Sequence, residues 1–268
     1  MKFTCNTSVL ADACNIVQRG VPQKSTIPAT EGIFMQAKNS RLTLTGYDLE
    51  VGITTIIDCS VEQEGSVVLN ARLLCDILRR LPSAAVTINV DSHNLCKISS
   101  GEAEFSLVGI PANDYPELPT VSGGIPFAIK QGILKNMVKQ TIFAVAVQDI
   151  KPVHKGIKFE VENNNLRLIS CDGFRLAIRN EKVDARDSMQ FVVPKRTLTE
   201  VANMLKEDAE EQCVISVSRS HILFEFDGYI VFSRLLEGEF HNYKSSIPAS
   251  FETEVLVNTG ELTKCLER

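Results

Sequence analysis

Residues 156–178, GIKFEVENNNLRLISCDGFRLAI, decide how the whole chain is read. They form the pattern of a strand, a turn at Asn163-Asn164-Asn165, a second strand, and an exposed corner, Cys171-Asp172-Gly173-Phe174-Arg175-Leu176, leading into a third. Much of this is written once before. In residues 32–53, GIFMQAKNSRLTLTGYDLEVGI, Gly32, Ile33, Leu42, Leu44 and Asp48 stand 124 positions before Gly156, Ile157, Leu166, Leu168 and Asp172.

The same offset pairs Phe3 with Phe127, Leu10 with Leu134, Val68 with Val192, Arg72 with Arg196, Leu74 with Leu198 and Leu81 with Leu205. One register held over about 80 residues without an insertion is the mark of an internal repeat. The chain therefore reads as α+β, a tandem duplication with units at 1–120 and 125–247. The Pro- and Gly-rich segment PELPTVSGGIP, 116–126, is the linker. Each unit offers two helices, 6–20 and 71–82, then 130–144 and 195–206. Val9, Leu10, Ala13, Ile16 and Val17 form the apolar stripe of the first, and Leu73, Leu74, Ile77, Leu78 and Leu81 that of the second. In the tail, 251–268, Val255, Val257, Gly260 and Leu262 lie 128 after Phe127, Ile129, Gly132 and Leu134. The tail is expected to be the start of an incomplete third copy, so that the sequence is a C-terminally truncated part of a three-repeat protein. The alternative is a terminal arm packed on the second unit.

Composition limits the function. Of 268 residues, 44% are hydrophobic and 23% charged, the balance of a soluble globular protein. No apolar run approaches the roughly 20 residues of a spanning helix, and the N-terminus carries no signal pattern, so a cytoplasmic location is expected. None of the eight cysteines forms a C-x-x-C pair and the four histidines are scattered, so the expectation is buried thiols, no metal and no cofactor.

The net charge of −5 argues against a nucleic-acid binder until the charges are located. The four helices hold ten basic residues (Arg19, Arg72, Arg79, Arg80, Lys130, Lys135, Lys139, Lys195, Arg196, Lys206) against Asp12, Asp76 and Glu200. Each helix buries one stripe on its sheet, which leaves the other faces pointing to a common side of each unit. A cationic helix side and an anionic sheet side suit a body that holds a polyanion on one side only. The plainer reading is that Lys and Arg are good helix formers on solvated faces, with Asp76 paired to its neighbouring arginines. With 6% aromatics and no Trp, stacking on single strands is disfavoured, and double-stranded, sequence-independent phosphate contact fits better.

TGYDLE at 45–50, FSLVGIPANDYP at 105–116 and SCDGFRLA at 170–177, in order on a duplicated scaffold, resemble the bacterial β sliding clamp, the processivity subunit of DNA polymerase III. The resemblance implies tandem DNA-clamp domains with helices on one concave side and antiparallel sheets outside. It also implies a head-to-tail homodimeric ring when full length, encircling double-stranded DNA. Duplex contacts would fall on Lys24, Arg72, Arg79, Gln148, Pro152 and Val153, the last two standing where the family often has aromatic residues. Peptides of the polymerase catalytic subunit and clamp loader would dock at His154, Cys171, Gly173, Phe174, Arg175, Leu176, His241 and Ser246. Cys171 replaces the family's commoner threonine, His241 a proline and Ser246 an apolar residue. Such a subunit is not an enzyme.

Two rival readings stay open at this level. One is a two-domain peptide-binding scaffold that does not encircle DNA. The other is a metal-dependent nuclease using Asp48, Glu50 and Asp172, which the repeat disfavours because it places Asp48 and Asp172 at equivalent points of separate units. No P-loop, G-x-S-x-G or H-E-x-x-H motif is present.

Overall fold

The computed structural model describes every residue except 83, 120–123, 149–150, 186 and 208. In the first unit, β1 (Lys2–Asn6) and α1 (Thr7–Val17) precede β2 (Gly32–Lys38), β3 (Arg41–Tyr47), β4 (Val51–Asp58), β5 (Ser60–Gln63) and β6 (Gly65–Asn70). Then come α2 (Ala71–Leu78), β7 (Ala85–Val90), β8 (Leu95–Ser100) and β9 (Ala103–Val108). The second unit repeats the order with β10 (Ile125–Lys130), α3 (Gln131–Lys139), β11 (Gly156–Glu162), β12 (Asn165–Cys171), β13 (Leu176–Lys182) and β14 (Met189–Pro194). It closes with α4 (Lys195–Met204), β15 (Gln212–Val217), β16 (His221–Phe226) and β17 (Tyr229–Arg234). The starts of α1, β2, β3, β6 and α2 sit 124 residues before those of α3, β11, β12, β14 and α4, so the sequence repeat is a structural repeat.

Local chemistry explains the matches. Gly32 and Gly156 stand where a Cβ would lie 2.4 Å from Val68 Cγ1 and 2.4 Å from the Val193 carbonyl oxygen respectively, so strand pairing at both places excludes a side chain. The hairpins β2–β3 and β11–β12 turn through Asn39-Ser40 and Asn163-Asn164, all four with positive φ, the geometry that matches strand twist. Asn165 belongs to the following strand.

The helices are shorter than their apolar patterns suggest, and their stripes are narrower. Ala71, Leu74, Cys75 and Leu78 are the buried face of α2, spaced i, i+3, i+4, i+7, whereas Leu73 lies off that stripe and is 52% exposed. Val9 is likewise 45% exposed on α1, where Cys14 takes a core position. Burial pushes the Cys5, Cys96 and Cys213 thiols up to about 12, so these act as small apolar side chains.

Every strand pairing is antiparallel, and the sheets do not stop at the unit boundary. A five-stranded sheet, β5-β1-β7-β8-β9, belongs to the first unit and a four-stranded sheet, β13-β12-β11-β14, to the second. Between them β17 pairs with β4, fusing half of each unit into an eight-stranded sheet, β10-β15-β16-β17-β4-β3-β2-β6. A small second core forms along this join. Tyr47 and Phe232 meet edge to face at 6.0 Å, with Ala29, Val68, Tyr115 and the linker's Leu118 around them. The linker's centre, 120–123, lies outside the described residues.

On the helix side the units are joined by two ion pairs. Arg19, just beyond α1, reaches Glu200 of α4 at 3.2 Å, and Arg196 of α4 pairs with Asp48, whose side chain is 3% exposed. In the tail, Asn258 caps a helix α5 (Thr259–Leu266), but 251–257 form no strand and every residue of 251–268 is exposed. The apolar run Val255-Leu256-Val257 is thus left exposed.

Asn6 and Asn70 cap α1 and α2 through their side-chain oxygens, while the matching residues before α3 and α4, Lys130 and Pro194, provide no side-chain cap. Replacing Asn70 with Ala is expected to lower unfolding stability by about 1 kcal/mol, measured by chemical denaturation. A drop of only a few tenths would mean the α2 terminus is held by packing alone.

Candidate functional site

Two surfaces gather the residues singled out from sequence. The first is a cleft of about 970 Å³ on the helix side, where the units meet. Lys24 enters from the loop after α1 and Arg72 from the first turn of α2; Arg19 and Arg196 join them from the two ion pairs. Sequence reasoning did not bring Arg19 and Arg196 to this place, because only the fold sets α4 beside the end of α1. Arg79 is exposed about two turns further along and pairs with Asp76 at 3.7 Å.

Much of the helix charge is locally balanced. Lys135 and Lys139 share Glu207, Lys130 pairs with Glu210, and Lys206 with Asp227 at 2.9 Å. Among the described residues, Arg72, Arg80 and Lys195 have no carboxylate within 4.0 Å. Of the remaining duplex candidates, Gln148 and Pro152 are exposed, but Val153 is not available. It is 2% exposed and packs with Ile169, Val192, Phe240 and Tyr243, so its side chain cannot face a phosphate.

The second surface is a cleft of about 570 Å³ in the second unit. His154, Cys171, Gly173, Phe174, Arg175, Leu176, His241 and Ser246 all line it, and Lys151 and Asp172 complete it. Its floor is formed by Cys171 and Leu176, which pack against the apolar cluster just named. Its rim is the corner between β12 and β13. Asp172 Oδ1 accepts hydrogen bonds from the Phe174 and Arg175 amides at 3.0 and 2.8 Å. Asp172 Oδ2 accepts from Arg175 Nη2 and Nε at 2.7 and 2.9 Å. Gly173 takes the left-handed conformation, φ +89°, that lets the chain reverse. The result is a rigid turn that lifts Phe174 into solvent, 98% exposed, while Arg175 rests over the Phe143 ring at 6.0 Å. On the far wall His241 Nε2 and Ser246 Oγ are 3.1 Å apart. An apolar floor, a protruding aromatic and a cationic rim suit a short peptide with apolar side chains and an acidic or polar flank.

The corner also has a twin. Asp48 Oδ1 accepts from the Glu50 and Val51 amides at 2.9 and 2.7 Å, and Leu49 holds φ +78° where Gly173 stands in the second copy. Around the first corner the next unit is already packed, through Arg196 on Asp48 and the Arg234 amide on the Glu50 carbonyl at 3.1 Å. The second corner is open. Both aspartates are turn caps engaged by arginine, and no group of three or more metal-ligating side chains occurs among the described residues, so the nuclease reading has no site in them.

Comparison with known proteins places this geometry. Residues 1–119 match the model of the DNA polymerase III beta subunit, N-terminal domain, and residues 128–242 that of its central domain. The chain belongs to the bacterial β sliding clamp family. It is 34% identical to the beta sliding clamp of Bacillus subtilis over 278 residues, covering 100% of this chain and 73% of that protein. It is 35% identical to that of Halalkalibacterium halodurans with the same coverage. The crystal structure of the B. subtilis DNA polymerase sliding clamp superposes with a TM-score of 0.97. A sliding clamp from Pseudomonas aeruginosa bound to griselimycin, 28% identical, superposes with a TM-score of 0.88 over 94% of this chain and 69% of that one. Tandem clamp domains, with helices on one concave side and antiparallel sheets outside, are therefore the fold of this chain.

Arg175 and the two turn amides hold the Asp172 carboxyl at about 2, well below its ordinary 3.8. A depressed carboxylate stabilises the corner at pH above the ordinary value and loses that contribution as pH falls through about 2. Carbon-detected NMR titration should give Asp172 a midpoint near that value, moving up toward the ordinary range in Arg175→Ala. An unmoved midpoint would show that Arg175 does not hold the corner.

Proposed function

We propose that this protein is the sliding-clamp subunit of a DNA polymerase III holoenzyme, conferring processivity by guiding duplex DNA along its helix side and docking partner peptides at the β12–β13 corner. The observation that carries the reading is the convergence of Lys24, Arg72, Arg19 and Arg196, from both units, on one helix-side cleft while the sheets turn the other way. Such cations contact phosphate and read no bases. A closed ring leaves a long duplex only when an interface opens, so retention depends on protein–protein interfaces and the phosphate contacts can be few and mobile. The carboxylates paired with Arg19, Lys130, Lys135, Lys139 and Lys206 keep them so. Head-to-tail dimerisation and docking of polymerase and clamp-loader peptides complete the reading. The exposed Phe174 and the apolar floor beneath it support the docking role.

At low ionic strength, Lys24→Ala and Arg72→Ala are expected to weaken duplex binding regardless of sequence. Each should reduce the slope of log affinity against log salt by about 0.9 for every phosphate that is no longer neutralised, read by fluorescence anisotropy. An unchanged slope in the double variant removes this cleft from the duplex path. For the second surface, griselimycin labelled with a fluorophore serves as probe. Phe174→Ala combined with Leu176→Ala should reduce its affinity by at least about tenfold, the effect of removing an exposed aromatic anchor, with the fold kept by circular dichroism. Full affinity in that variant would place docking elsewhere.

A further inference from the structure

We propose that Tyr243 and Glu160 form a latch that fixes the His241–Ser246 wall of the peptide cleft, making them positioning residues for the docked segment. The proposal rests on the cleft reading above. The wall is carried by a strap, 237–246, that contains no strand. Its last main-chain tie to the sheets among the described residues is the Leu236 amide on the Val192 carbonyl at 2.9 Å; beyond it the backbone bonds are local to the strap. Side chains must therefore hold it in place.

Tyr243 is placed to do so. It lies between the two cleft residues, 4% exposed, with its ring in the apolar cluster beneath the cleft. Its hydroxyl donates to Glu160 Oε2 at 2.7 Å and accepts from Arg167 Nη1 at 3.1 Å. Glu160 is on β11 and Arg167 on β12, so one phenol joins the strap to two adjacent strands. Lys158 closes the group, 2.7 Å from Glu160 Oε1 and 5.8 and 5.9 Å from the centres of the Phe240 and Tyr243 rings. Phe240 in turn meets His154 of the cleft edge to face at 5.5 Å. The latch is thus outside the cleft yet touches both of its sides. None of Tyr243, Glu160, Arg167 and Lys158 lines the cleft itself.

Hydrogen bonds of this type involve charged partners and a largely buried hydroxyl, where removing one atom has a measurable effect. Tyr243→Phe keeps the ring in the cluster and deletes only the hydroxyl. It is expected to weaken binding of labelled griselimycin to the 268-residue protein by about three- to tenfold. Glu160→Gln should act in the same direction, and the double variant should fall short of the product of the two, because both remove one interaction. Amide hydrogen exchange over 239–246 should quicken while that of β11–β14 is retained, a local response that general destabilisation would not give. Unchanged exchange in Tyr243→Phe overturns the latch, as does quickened exchange with undiminished affinity. Phe174→Ala is the separate control. Full griselimycin affinity in that variant overturns the cleft reading and takes this proposal with it, whereas weakened binding there with a normal Tyr243→Phe overturns the latch alone.

Discussion

The pairing of β17 with β4 is the constraint from which the rest of the molecule follows. It runs from Tyr229 opposite Thr55 to Ser233 opposite Val51 and joins half of each repeat into one eight-stranded sheet. Two domains tethered only by a linker would be free to reorient. Joined edge to edge, with Tyr47 and Phe232 packed along the seam, they hold their helices to the same side and bring α4 beside the end of α1. Each pairing also uses up a strand edge that would otherwise invite association.

Duplication then gives one motif two roles. The Asp48 and Asp172 corners share the same capping bonds to the second and third amides that follow. The first corner is covered by the unit after it, and its aspartate serves the domain junction through Arg196. The second presents an aromatic side chain to solvent above an apolar floor. What differs is the environment that the order of the units gives each corner. Leu49 tolerates a left-handed backbone in the first copy, at a cost of order 1 kcal/mol, where Gly173 adopts it freely in the second.

The electrostatics fit a protein that must hold DNA without gripping it. Ten cations in and beside the helices would be a strong polyanion site if all were unopposed, yet most face a carboxylate. Surface pairs of this kind contribute little to stability, about 0–1 kcal/mol each, but they lower the local potential and so limit the number of phosphates held at once. In the clamp function proposed above, a modestly cationic path of this kind favours movement along the duplex over tight capture.

The sequence alone determined the repeat, the four helices and the turn at Asn163-Asn164, because glycine exclusion, left-handed asparagines and apolar spacing act locally and recur in register. It also supplied, through the family motifs, eight residues that the fold gathers into one cleft. The width of the helix stripes was less legible: Leu73 and Val9 are apolar but lie outside the faces that tertiary packing buries, with cysteines in the core places. Val153 was misplaced for the same reason, since residue type and position do not show which way a side chain turns. Only the tertiary structure decided that Arg19 and Arg196 meet Lys24 and Arg72, that Asp48 serves a domain junction, and that the Tyr243 phenol bridges its strap to β11 and β12. Those relations link residues far apart in the chain, and their geometry is set by strand pairing across the two units, which no local pattern encodes.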